Sequence, residues 1–212
     1  MSGEPQRDDV SFRCILPRDR LVFVQEGRLL PGPSASLPVQ ETVVQLVDSA
    51  GSRRQLSLSR LGETMGFEYA SRLVFLHERD LRDWLLHSID KEEFRSSREM
   101  GLERAICRGE LGDCLIVGFV DTVIGFGLFT TRDRTEGEFI GEYVGVVTSS
   151  LAQDTAYSVD YPSMTGGYSI NAGQWGNLIR FVNHSSAPNA QFVAVSHRDG
   201  LIHVVCVRVV TW

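Results

Sequence analysis

Apolar residues along this chain follow two different periods, and the change from one to the other divides it. Between Glu78 and Arg98, Leu81, Trp84, Leu85 and Ile89 recur at helical spacing with charged residues on the other face, which predicts an amphipathic helix. Ahead of it, Val43–Val47 and Gln55–Leu58 are short alternating or apolar runs around Asp48-Ser49-Ala50-Gly51, the pattern of a hairpin. Residues 1 to about 40 hold five of the seven prolines and predict irregular backbone or an edge strand. From Cys114 onward helical spacing gives way to short β-rich runs separated by glycines: Leu115–Val120, Gly127–Thr130, Phe139–Val147, Tyr157–Val159, Tyr168–Ile170 and Leu201–Val210. The expected fold class is mainly β with an α+β N-terminal region, divided into residues 1–110 and a β-rich domain over 111–212.

Composition narrows the function classes. Hydrophobic residues fill 42% of the 212 positions, enough for a packed core and too many for disorder over most of the length. The formal charge of -6 argues against general nucleic-acid affinity, which needs clustered Lys and Arg, and suits a basic protein or peptide partner. Lys91 is the only lysine among 21 positive charges, leaving twenty arginines. That bias fits an arginine-favouring genome; it also fits a bacterial effector delivered into a eukaryotic host, where few acceptor lysines mean little ubiquitination. Cys14, Cys107, Cys114 and Cys206 form no C-x-x-C pair, so neither a zinc cluster nor a disulfide framework is expected. The first thirty residues carry no signal pattern, and the apolar region from Leu115 to Phe129 is cut by Asp121 and too short to span a bilayer, so a soluble cytoplasmic or nuclear protein is expected.

The candidate chemistry lies in the second half. Arg180-Phe181-Val182-Asn183-His184-Ser185 places an Asn-His pair inside an apolar run that ends at the X-Pro turn before Pro188-Asn189, and buried amides and imidazoles need partners. His184 shows no metal-ligand spacing with His77, His87, His197 or His203, and Ser185 beside it would point to the opposite face of a strand, which excludes a nucleophilic pair. Gly125-Phe126-Gly127 lets backbone approach a ligand, although by itself it also describes a strand-to-strand turn. As a dinucleotide fingerprint it fails, because Thr130 stands where a third glycine is needed.

The order of these pieces carries more than any one of them. Gly-x-Gly-Leu-Phe, then Gly137-Glu138-Phe139-Ile140-Gly141-Glu142-Tyr143-Val144-Gly145, then Tyr157-Ser158-Val159-Asp160, then Ile170-Asn171-Ala172, then Gly176-Asn177-Leu178-Ile179-Arg180-Phe181-Val182-Asn183-His184-Ser185 and Pro188-Asn189, resembles the SET domain family from about Gly118 to Val210. The resemblance implies small curved β-sheets with a knot-like crossing at the Asn-His segment, and a protein-lysine N-methyltransferase that uses S-adenosyl-methionine. It implies that Gly125, Phe126 and Gly127 offer backbone to the cofactor, and that Arg180, Phe181, Asn183 and His184 hold its polar ends and adenine. Tyr157 matches the tyrosine that walls the substrate-lysine channel, with Ala172 and Trp175 lining or supporting it. The implied partner is a protein or peptide presenting lysine, histone tails among them.

Such a site needs alignment and a deprotonated amine rather than a strong acid or base. Methyl transfer is an in-line displacement, and a desolvated channel beside a sulfonium disfavours the charge of a lysine whose ordinary pKa is about 10.4. Three departures from the family pattern stand out. Ser186 replaces a cysteine that helps bind zinc in many relatives, so no metal is expected, and Val146 replaces a common glutamate. The family also continues into a Gly-Glu-Glu-Leu-x-x-Asp-Tyr segment bearing a catalytic tyrosine, whereas this sequence stops at Trp212. A SET architecture kept as a binding or interaction module, with turnover impaired, is therefore the alternative expectation.

Overall fold

Every apolar run of the second half is short and bounded by glycine or a turn, so the chain builds several small sheets instead of one large one. This is a computed structural model, and it describes residues 22–25, 28–31, 42–76, 80, 81, 84, 93–149, 156–162 and 167–209. Among the described residues there are four open sheets. One runs in the order Arg53–Ser57, Val43–Val47, Leu115–Asp121, Gly125–Thr130, so that Gly125–Thr130 is an edge strand. A six-stranded sheet runs Ser158–Tyr161, Tyr168–Asn171, Val146–Thr148, Val74–Phe75, Val22–Gln25, Arg28–Pro31. A third places Ile202–Arg208 between Ala190–Ser196 and Phe139–Glu142, and a fourth pairs Trp175–Gly176 with Glu68–Tyr69 in parallel.

The first hairpin forms where its turn residues predict it. The Asp48 carboxylate accepts from Ala50 N at 3.0 Å and Ser52 N at 2.9 Å, and Val44 and Leu46 bury one face of the strand. The second strand ends at Ser57, whose hydroxyl caps the helix Leu58–Met65 by accepting from Arg60 N at 3.3 Å. The proline-bearing edge strand is present as Arg28–Pro31. Sheet hydrogen bonding crosses residue 110: Gln45 to Val47 pair in parallel with Ile116 to Gly118, and Val74 with Val146.

Two sequence expectations are corrected. The run Phe139–Val147 is two strands in different sheets, Phe139–Glu142 and Val146–Thr148. Between them Gly145 passes so close to another strand that a Cβ would lie 2.4 Å from the Asn171 carbonyl oxygen, while its own carbonyl accepts from Val74 N at 2.9 Å. Gly145→Ala is expected to cost about 1–3 kcal/mol by overpacking against backbone, read as a lower urea midpoint at unchanged slope. The helix expected over 78–98 is seen at Asp80, Leu81 and Trp84, and residues 85–92 lie outside the described residues. By Ser96 the chain is no longer helical, because a sheet claims its backbone: Ser96 bridges Ser196, Ser97 N donates to Ser196 O at 2.8 Å, and Ser196 N donates to Arg95 O at 3.0 Å.

The core has two main parts. One gathers Leu73, Phe75, Ile140, Tyr143, Val147, Ile170, Ile179 and Ile202; the other gathers Val44, Leu46, Leu58, Leu61, Phe67, Val117, Leu178 and Phe181. Leu178–Phe181 forms a single 3-10 turn that contributes to both, so its position is fixed from two sides. No helix among the described residues is long and apolar enough to cross a membrane.

Candidate functional site

Asn177 starts the segment that carries most of the candidate residues. It is buried in extended conformation; its Oδ1 accepts from Ile179 N at 3.0 Å and its Nδ2 donates to the Glu142 carbonyl at 2.8 Å. One side chain therefore caps the 3-10 turn and ties it to the end of the Phe139–Glu142 strand. The turn buries Leu178, Ile179, Arg180 and Phe181, and the chain leaves it extended at Val182. Asn183 follows, exposed at the surface, with His184 beside it.

Asn183 faces the edge strand Gly125–Thr130. Its Nδ2 donates to the Phe126 carbonyl at 3.2 Å, and a Cβ on Gly127 would come within 3.0 Å of that nitrogen and of Val120 Cγ2. Gly127 thus permits an approach that a side chain would obstruct, while Gly125 holds the left-handed φ of 78° that opens the strand after the Asp121–Ile124 turn. Asp121 shapes that turn by accepting from Val123 N at 2.8 Å and Ile124 N at 2.7 Å. The expected Gly125-Phe126-Gly127 turn is corrected in this respect: the three residues belong to the strand itself, and the turn precedes them.

Arg180 organises the other half. Its guanidinium lies 4.0 Å from the Tyr157 ring centroid, 4.2 Å from that of Phe67 and 5.5 Å from that of Phe181, stacked among aromatic faces. The Tyr157 backbone is held separately, since its carbonyl accepts from the Tyr143 hydroxyl at 2.6 Å and from Ala172 N at 2.8 Å. Burial pushes the Tyr143 phenol far above its ordinary range, although Arg180 pulls the other way, so the group stays a donor at physiological pH. The Tyr143 ring meets Phe192 edge to face at 5.4 Å, and Phe192 is partly exposed beside it.

Glu142, whose carbonyl accepts from Asn177, also belongs to a buried charged trio. His203 Nδ1 is 2.6 Å from Glu142 Oε1 and its Nε2 is 3.1 Å from Asp199 Oδ2, with all three residues buried. Burial opposes protonation of the imidazole, but the Glu142 and Asp199 carboxylates outweigh it and raise the His203 pKa to about 10. Tyr161, pushed up by burial and by the same carboxylates, donates to Ile202 O at 2.6 Å. Among the described residues no group of three His, Cys, Asp or Glu side chains is placed to hold a metal ion.

The structure brings Phe126, Gly127 and Asn183 together, and Tyr157, Arg180 and Phe181 together. His184 is exposed and takes part in none of these contacts. Sequence reasoning missed Phe67 and Tyr143. Phe67 lies in the region that no motif covered; Tyr143 sits within the quoted Glu142-Tyr143-Val144-Gly145 stretch and was legible there as a strand-end hydroxyl.

Comparison with known proteins follows the same segment. Residues 125–210 match the sequence model of the SET domain family. The chain is 35% identical over 77 residues to Xenopus laevis histone-lysine N-methyltransferase SUV39H1, covering 32% of this chain and 18% of that protein. It is 35% identical over 89 residues to Homo sapiens histone-lysine N-methyltransferase 2B, covering 38% of this chain and 3% of that protein. The chain therefore spans less than a fifth of either relative's length. Its fold resembles the crystal structure of ATXR5 in complex with mono-methylated histone H3.1, at a TM-score of 0.53 and 20% identity, over 71% of this chain and 78% of that one. That share is larger than residues 125–210 alone, so the likeness in fold takes in part of the N-terminal region.

Proposed function

We propose, from the match of residues 125–210 to the SET domain family model, that the protein is an S-adenosyl-methionine-dependent protein-lysine N-methyltransferase. The observation that carries the reading is the juxtaposition of the Gly125–Thr130 edge with Asn183, through the 3.2 Å hydrogen bond from Asn183 to the Phe126 carbonyl. An edge strand has backbone N–H and C=O groups that no further strand pairs, and Gly127 keeps the approach clear. The exposed Asn183 and His184 side chains add amide and imidazole groups at the same place. That set of backbone and side-chain groups suits a ligand with an adenine edge and a zwitterionic tail.

When bound, S-adenosyl-methionine would supply an electrophilic methyl group on a sulfonium. Gly125, Phe126 and Gly127 would offer it backbone, and the exposed Asn183 and His184 would hold its polar ends and adenine, with the buried Arg180 and Phe181 supporting that edge from behind. Tyr157, with its ring against Arg180 and its carbonyl tied to Tyr143, walls the channel through which a neutral lysine amine approaches. The acceptor is a lysine on a basic protein, and histone tails match a chain of charge -6. The two relatives at 35% identity, both histone-lysine N-methyltransferases, support this substrate class.

Calorimetric titration with S-adenosyl-methionine tests the reading. The wild-type chain is expected to bind, and Asn183→Ala to bind about tenfold more weakly with an unchanged thermal melt, since the lost hydrogen bond is at the surface. Absence of binding by the wild type would sink the enzyme reading.

A further inference from the structure

Phe67, which lies outside the SET-matched segment, has its ring against the Arg180 guanidinium, and its place is well fixed. Phe67 is buried and its backbone N–H donates to Gly62 O at 2.9 Å at the end of the Leu58–Met65 helix. The strand it leads into, Glu68–Tyr69, pairs in parallel with Trp175–Gly176: Glu68 N donates to Gln174 O and Ala70 N to Gly176 O, both at 2.8 Å. The Trp175 indole N–H also donates to Glu68 Oε2 at 3.1 Å. Phe67 is thereby held in register with residues 174–176, just ahead of the 3-10 turn that bears Arg180, and it meets Phe181 edge to face at 6.0 Å.

We propose that Phe67 is a positioning residue for the site: its ring backs the Arg180 guanidinium, whose other close ring contact, Tyr157, is thereby fixed in orientation. The inference rests on the reading of Tyr157 as a wall of the lysine channel. The distances, 4.2 Å on the Phe67 side and 4.0 Å on the Tyr157 side, make one cation shared between two ring faces. Tyr157's backbone is anchored independently by Tyr143 and Ala172. Loss of the Phe67 face should therefore release the Tyr157 ring without releasing its strand. A segment outside the family-matched residues then sets a side-chain angle inside them.

Phe67→Leu removes the aromatic face while keeping an apolar side chain, and Phe67→Tyr keeps the face. With 3-fluorotyrosine in place of the tyrosines, five in the wild type and six in Phe67→Tyr, the fluorine resonance of Tyr157, assigned through Tyr157→Phe in each background, is expected to shift and broaden in Phe67→Leu and to stay near its wild-type position in Phe67→Tyr. Affinity for S-adenosyl-methionine should fall by about threefold to thirtyfold in Phe67→Leu and recover in Phe67→Tyr. If Phe67→Leu does not fold, Phe67→Met takes its place, since an unbranched thioether fills the same gap. An unchanged Tyr157 resonance in a folded variant without the ring overturns the inference. Failure of the wild type to bind S-adenosyl-methionine overturns the methyltransferase reading instead, and the fluorine spectra still decide whether Phe67 orients Tyr157.

Discussion

His203→Leu is expected to destabilise the protein by about 3–5 kcal/mol, the usual result of removing one partner from a buried charged cluster. His203 lies between Glu142 at 2.6 Å and Asp199 at 3.1 Å. Without the imidazolium, two carboxylates remain in the interior facing each other across leucine. The effect carries a pH signature. The His203 pKa rises from 6.5 to about 10 on folding, so its contribution is complete below 6.5 and is lost progressively as pH rises towards 10. Asp199 is shifted the other way: burial works against its ionisation, but His203 holds it below 3.8, so its contribution exists above that value and is lost as pH falls. Thermal melts of the wild type should therefore be highest between about pH 4 and 6.5 and decline towards pH 10. In His203→Leu the melt should be lower and the decline between about pH 6.5 and 9 should be absent, leaving only the later fall caused by the buried Cys206 thiol and tyrosines. A variant as stable as the wild type at pH 6 would mean that the trio is not a paired ionic cluster.

This trio also marks the boundary of what the sequence made legible. The hairpin at Asp48–Gly51 and most later strands were readable because their apolar residues alternate and their turns carry Asp or Gly. The helix Leu58–Met65 was not: eight residues give Leu58, Leu61 and Met65 too short a window for a 3.6-residue period to stand out. The strand Ala190–Ser196 was not legible either, because Phe192-Val193-Ala194-Val195 is a short continuous apolar run without the apolar/polar alternation that marks a half-buried strand. The run Phe139–Val147 reads as one strand since composition does not record that the chain changes sheets at Gly145; only the 2.4 Å approach to Asn171 does.

For the site, the motif residues fell together in two groups, and Tyr143, Ala172 and Asn177, which support them, lie in the motifs too, whereas Phe67 and His203 do not. Phe67 contributes through a parallel pairing between residues more than a hundred positions apart, and no local pattern encodes such a pairing. His203 and Glu142 were visible as a lone histidine and a strand glutamate. Their partnership depends on the register that sets Val205 opposite Glu142 and brings Tyr143 N to Val204 O at 2.7 Å. Pairwise chemistry across a sheet is legible only once the register is known.

Asn177→Ala is expected to affect fold and site together, because one carboxamide satisfies both. Alanine leaves Ile179 N without its 3.0 Å acceptor and the Glu142 carbonyl without its 2.8 Å donor, both in the interior. A lost cap and a lost buried hydrogen bond should sum to about 2–4 kcal/mol, read as a lower denaturant midpoint. Asn177→Ser retains a cap acceptor but falls short of the Glu142 carbonyl, so it should recover part of the stability and not all of it. Leu178 and Phe181 pack into one core and Ile179 into the other, so the 3-10 turn has little room to adapt by sliding. The strain should appear at its free end, where Asn183 reaches the Phe126 carbonyl. S-adenosyl-methionine affinity is accordingly expected to fall in Asn177→Ala by more than in Asn183→Ala, although Asn177 is buried and Asn183 is at the surface. The reverse order of affinities would mean that the surface amide alone, and not the register of the turn, sets the geometry of the cofactor edge.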